Sequence, residues 1–167
     1  MIKIYTINLD LEKNYAFNFD SAMKKYKSIK DKKLAFASKK LKKMVTKKFF
    51  SISHSYPMCM MAECDEPIGI DVENGNRKIA WEKIVKQKFS KEDKIPVNRN
   101  DFFLDWTTRE AYFKCFQDPH YLSTSIETIL EKTSIKTAHR GDYYIAICTK
   151  GEHDVADIPV WLTKNID

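Results

Sequence analysis

The chain has 167 residues, 43% of them hydrophobic and 13% aromatic, with 4 glycines and 5 prolines. This composition excludes a disordered chain and a glycine- or proline-rich linker, so one domain over 1–167 is expected. The net charge of +6 is unevenly held, because Lys24–Lys48 contains twelve lysines against one acid, Asp31; such a block suits an acidic or polyanionic partner, or serves only as a solubilising face.

No apolar run approaches the ~20 residues of a membrane span. The first residues also lack the basic start and apolar run of a signal peptide, so a cytoplasmic protein with no membrane partner is expected. The alternation of Tyr5, Ile7 and Leu9 predicts an opening strand. From about Ala16 to Lys48 the chain reads as two helices, with Leu34, Ala37, Leu41 and Met44 at helical spacing. Strands are predicted at Phe49–Ser53, Met58–Ala62 and Ile68–Val72, with Asp65-Glu66-Pro67 as the turn between the last two.

Residues 79–89 follow as an amphipathic helix built on Ile79, Trp81, Ile84, Val85 and Phe89. The polar stretch 90–100, with Pro96, reads as a mobile loop. Asp101 is then a candidate cap for a helix reaching about Phe116, with Phe102, Trp106 and Phe113 on its apolar side. Closing strands are predicted at Ser134–Ala138, Tyr143–Thr149 and Ile158–Thr163, the first two joined by His139-Arg140-Gly141-Asp142. This order implies an α+β fold with an antiparallel sheet in each half, the halves falling at 1–73 and 74–167. Cys59, Cys64, Cys115 and Cys148 lack metal or redox spacing and read as buried free thiols.

Three clusters bear chemistry. In Gly69-Ile70-Asp71-Val72-Glu73 the two acids share one strand face about 7 Å apart. They form either a solvated strand end or half of a hard-cation site completed by substrate phosphates. In Trp106-Thr107-Thr108-Arg109-Glu110-Ala111-Tyr112-Phe113-Lys114, Glu110 and Lys114 lie one helical turn apart, the spacing of an ordinary ion pair. In Phe50-Ser51-Ile52-Ser53-His54-Ser55 the hydroxyls and imidazole suit phosphate oxygens. A hydrolase is disfavoured there, since neighbours on a strand face opposite ways and no Gly-x-Ser-x-Gly elbow is present.

Taken in order, Ser-Ile-Ser-His-Ser, Gly-Ile-Asp-Val-Glu and Trp-Thr-Thr-Arg-Glu-Ala-Tyr-Phe-Lys closely resemble the Sfp-type 4′-phosphopantetheinyl transferases. The resemblance covers about Phe49 to Phe116 and extends to Phe89-Ser90-Lys91-Glu92-Asp93, with Asp93 where the family usually has Glu. It implies two similar α+β halves related by a pseudo-two-fold, with the active site in the cleft between them. It implies that Asp71, Glu73 and Glu110 hold Mg²⁺ with the pyrophosphate of coenzyme A. Lys114 would contact the phosphate under attack, Ser53 and His54 would bind coenzyme phosphate, and Glu110 would be the candidate base. The reaction implied moves the phosphopantetheine arm of coenzyme A to a serine of an acyl or peptidyl carrier protein, releasing adenosine 3′,5′-bisphosphate.

The chain departs from the family pattern in places. Arg109 stands where the family has lysine, and Cys115-Phe116-Gln117-Asp118 stands where a glycine-rich stretch is common. The segment before the Ser-His-Ser strand is reduced to Met44–Phe49, so Lys33 and Lys39 are taken as substitute contacts for the coenzyme. A monomer acting on an acidic carrier is expected, with the Lys24–Lys48 block steering it. One rival is a non-catalytic relative that binds coenzyme A or a carrier. Another is a nucleic-acid binder, suggested by the basic block and a pI near 9.0. That rival requires exposed aromatics among the lysines, whereas Tyr26, Phe36 and Phe49 are few and assigned to packing, so no nucleic-acid partner is expected.

Overall fold

The structure, a computed structural model, describes residues 1–10, 27–89 and 95–150. Within them six strands and four helices run in the order β1 (Lys3–Asn8), α1 (Ile29–Lys42), β2 (Phe49–Ser55), β3 (Met58–Cys64), β4 (Ile68–Asn74), α2 (Trp81–Lys88), α3 (Arg99–Phe116), α4 (Ile126–Lys132), β5 (Ser134–Arg140) and β6 (Tyr143–Thr149). The strands form two antiparallel three-stranded sheets, ordered β1-β3-β2 and β4-β6-β5. The fold is α+β, as the element order implied. The step between sheets falls at the Asp65–Pro67 turn, because β4 pairs with β6. Both strand acids therefore belong to the second sheet, and not to the half ending at Glu73.

Every residue of β3 is buried because the strand is central and covered on both faces. Met58, Met60, Ala62 and Cys64 meet Ile68, Ile70, Val72, Ile145 and Ile147 between the sheets. Cys59 and Met61 face Leu34, Ala37 and Leu41 of α1. On the far side of the second sheet, Ala111, Tyr112 and Cys115 of α3 pack on Ala146 and Cys148. A side chain as fully buried as Ile70 or Leu41 contributes roughly 1.5–3 kcal/mol. All four cysteines are buried free thiols.

β2 and β4 are edge strands that lie against each other, and an edge leaves backbone N–H groups unpaired. Three serines at period two resolve this. Ile70, Val72 and Asn74 donate their N–H to the hydroxyls of Ser51, Ser53 and Ser55 at 3.1, 3.2 and 2.9 Å.

Some boundaries differ from the sequence reading. The cap of α3 is Asn98, not Asp101; its side chain accepts the Asp101 N–H at 3.0 Å, and Asp101 donates charge complementarity to the first turn. The loop expected over 90–100 therefore ends early, with Arg99 and Asn100 already helical. α4 has no counterpart among the expected elements, although Ser125 caps it through the Thr128 N–H and Ile126, Ile129 and Leu130 keep helical spacing. Within Ala16–Lys48 one helix is described, and the expected helix before it and the strand at Ile158–Thr163 lie outside the described residues. Among the described residues no helix is long and apolar enough to cross a membrane.

Candidate active site

Gly69 sets the geometry. A Cβ there would lie 1.9 Å from the Ala111 carbonyl oxygen and 2.8 Å from the Cys115 nitrogen. Without one, α3 rests directly on β4, and the odd-numbered face of the strand looks at Glu110 and Lys114.

Lys114 donates to Asp71 Oδ1 at 2.7 Å and to the Ile70 carbonyl at 3.1 Å. Asp71 is 4% exposed. Its Oδ1 also accepts from Ser53 at 2.7 Å. Its Oδ2 is buried with no hydrogen-bond partner among the described residues. Leaving a buried carboxylate oxygen unmatched is costly, so such an atom points to a missing ligand.

Glu73 is buried beside Asp71, its carboxylate gripped by Arg77 Nη1 at 2.6 and 2.7 Å and by Ser55 at 3.2 Å. Arg77 sits on a segment that Arg99 pins by donating to the Gly75 carbonyl at 2.7 Å and to the Arg77 carbonyl. Glu110 accepts from the Tyr121 hydroxyl at 3.0 Å. Burial, then the negative charge of Asp71, pushes the Glu110 carboxyl above the usual range; the Tyr121 bond and Lys114 pull the other way, and Glu73 adds to the rise. Glu110 thus feels the charge of both strand acids, with more negative charge than the neighbouring cations relieve.

Ser53 is placed differently from the phosphate contact expected of it. It gives its one proton to Asp71 and accepts the Val72 N–H, so it ties the first sheet to the acid. His54 points the opposite way, opposite Cys59, on the face that α1 covers, and is exposed. Lys33 and Lys39 lie on α1, beyond the first sheet from the acids. The structure therefore gathers Asp71, Glu73, Glu110, Lys114 and Ser53, and leaves His54, Lys33 and Lys39 apart. Arg77 and Tyr121 are site residues that sequence reasoning missed, and no motif spacing signals either. Beside the Arg77 segment opens a cavity of about 610 Å³, lined by residues including Lys78, Arg99, Asn100, His139, Asp142 and Tyr144.

Arg109 is fully buried. Nε donates to Asp105 at 2.6 Å, and Nη1 donates to the carbonyls of Tyr121, Leu122 and Thr124 at 3.2, 3.1 and 2.5 Å. Its guanidinium also lies 4.4 Å from the Phe89 ring centre.

The donor set is all oxygen, the preference of a hard divalent cation. Among the described residues no three His, Cys, Asp or Glu side chains already form a metal cage, and Arg77 and Lys114 are bound to two of the acids. The unmatched Asp71 oxygen and the strained ionisation of Glu110 still fit a cation at this point. Compared with known proteins, the chain matches no family model and no curated protein.

Proposed function

We propose that this chain is a magnesium-dependent 4′-phosphopantetheinyl transferase acting on an acyl or peptidyl carrier protein, with coenzyme A as co-substrate. The observation that carries the reading is the buried, partnerless Asp71 Oδ2 beside Glu73 and Glu110, with Lys114 across the same carboxylate. The strand order supports two similar halves, since in each sheet the last strand in sequence is central. On this reading the working cleft lies where β2 and β4 meet.

Asp71, Glu73 and Glu110 would hold Mg²⁺, which when bound neutralises charge on phosphoryl oxygens. Lys114 keeps one ammonium proton beyond the two given to Asp71 and Ile70, and this would bind the phosphate as charge develops during displacement. The carrier serine attacks the β-phosphate of coenzyme A, and adenosine 3′,5′-bisphosphate departs. Glu110 would receive the serine proton, directly or through a water. The Lys24–Lys48 block would raise the rate of encounter with an acidic carrier through long-range attraction, without forming the working cleft.

A second reading, a non-catalytic coenzyme A or carrier binder, has the Arg77 grip on Glu73 in its favour. One experiment tests both. Incubation with coenzyme A, Mg²⁺ and a panel of apo carrier proteins, read by intact mass, is expected to add the phosphopantetheine arm to at least one carrier. Coenzyme A binding with no mass gain on any carrier would favour the second reading, and neither binding nor transfer would overturn both.

A further inference from the structure

The segment after α3 folds back over it and is fastened at two neighbouring points. Successive helical residues point about 100° apart, so Arg109 faces the backbone of Tyr121–Thr124 while Glu110 faces the acids. Arg109 takes three carbonyls of that segment with one nitrogen and Asp105 with another. Tyr121 packs on Phe113 with ring centres 4.7 Å apart and delivers its hydroxyl to Glu110 Oε1. The guanidinium fork spans Asp105 and the segment together, which the point charge of a lysine does not.

We propose that Tyr121, held by the Arg109 clamp, is the positioning residue that aims the Glu110 carboxylate at a divalent cation. The inference rests on the reading of Asp71, Glu73 and Glu110 as a cation site. A carboxylate ligand with one oxygen fixed from outside presents the other in a constant direction, and removing such an outer partner typically weakens metal binding by ~10–100-fold. The clamp also accounts for the arginine that replaces the family's lysine, since the Tyr121–Thr124 backbone is anchored through it.

Mn²⁺ titration of the full chain without coenzyme A, followed by electron paramagnetic resonance and paired with melting curves, tests this. Tyr121→Phe keeps the ring and is expected to retain the wild-type melting temperature while weakening Mn²⁺ binding about tenfold or more. Arg109→Lys is expected to weaken binding similarly and to melt earlier. In a Glu110→Ala background, Tyr121→Phe is expected to change binding no further, the non-additivity of residues acting through one another. If Tyr121→Phe binds Mn²⁺ within twofold of wild type while Asp71→Ala loses binding, the positioning role is overturned and the cation site stands. If wild-type binding is absent, or indifferent to Asp71→Ala, the cation site itself falls and this inference with it.

Discussion

Asp71 shows how one side chain joins stability to chemistry. Lys114 Nζ and the Ser53 hydroxyl both address Oδ1, each at 2.7 Å. Lys114→Ala would leave a carboxylate that is 4% exposed with Ser53 as its only side-chain donor among the described residues. Breaking a buried ion pair costs about 3–5 kcal/mol, but the Lys114 side chain is 25% exposed, so solvent screening reduces the expected loss to about 1–2 kcal/mol. If Lys114 binds the phosphate in the transition state, turnover falls by about a hundredfold while the Michaelis constant for coenzyme A changes little. Steady-state kinetics and a melting curve on this variant check both. Normal turnover with the stability loss alone would reduce the residue to a structural counter-ion.

At the scale of elements, the seat of α3 on β4 depends on an absent side chain. Gly69→Ala places a methyl 1.9 Å from the Ala111 carbonyl oxygen, a backbone atom that cannot rotate away. The helix must lift, and overpacking of this kind costs about 1–3 kcal/mol or more. The same shift draws Lys114 off Asp71. Melting temperature is expected to fall in this variant, and, if the proposed function holds, transfer rate and Mn²⁺ affinity fall with it. A loss of stability with unchanged Mn²⁺ affinity would show that the acids do not depend on the seating of the helix. The strands meeting at this seat were legible from alternation in β4 and from the apolar run of β6, and α3 from its apolar spacing. Its cap was not: Asn98 and Asp101 are both good cap residues three positions apart, and local chemistry alone does not choose between them.

Across the whole molecule, one buried acid ties an irregular segment to the first sheet. Glu63 is fully buried and accepts the Thr46 N–H at 2.6 Å, the Thr46 hydroxyl at 2.7 Å, the Lys47 N–H at 3.1 Å and the Tyr5 hydroxyl at 3.1 Å. Burial alone would raise its carboxyl, but these hydrogen bonds outweigh it and hold the group below the usual glutamate range. In the window below the ordinary value the native state therefore binds fewer protons than the unfolded chain. The Glu63 contribution is full above about pH 4.3 and is lost as pH falls further. Glu63→Gln is expected to lower stability at neutral pH by about 2 kcal/mol and to flatten the acid limb of the stability curve. Denaturant midpoints from pH 3 to 7 would check this, and an unchanged acid limb would remove Glu63 from its cause.

The sequence by itself determined the α+β order, five of the six described strands to within about two residues and the sixth at the start, and the pairing of Asp71 with Glu73 on one strand face and of Glu110 with Lys114 on one helix face, because strand and helix periods are local and place side chains on shared faces. Only the tertiary structure decided their partners. It turned Ser53 inward to Asp71 and β4, left His54 on the α1 face, brought Arg77 to Glu73, and set Tyr121 on Glu110 through Arg109. Each of those choices depends on which edges and helices meet, and the meeting is fixed by packing between segments far apart in the chain, which no local period encodes.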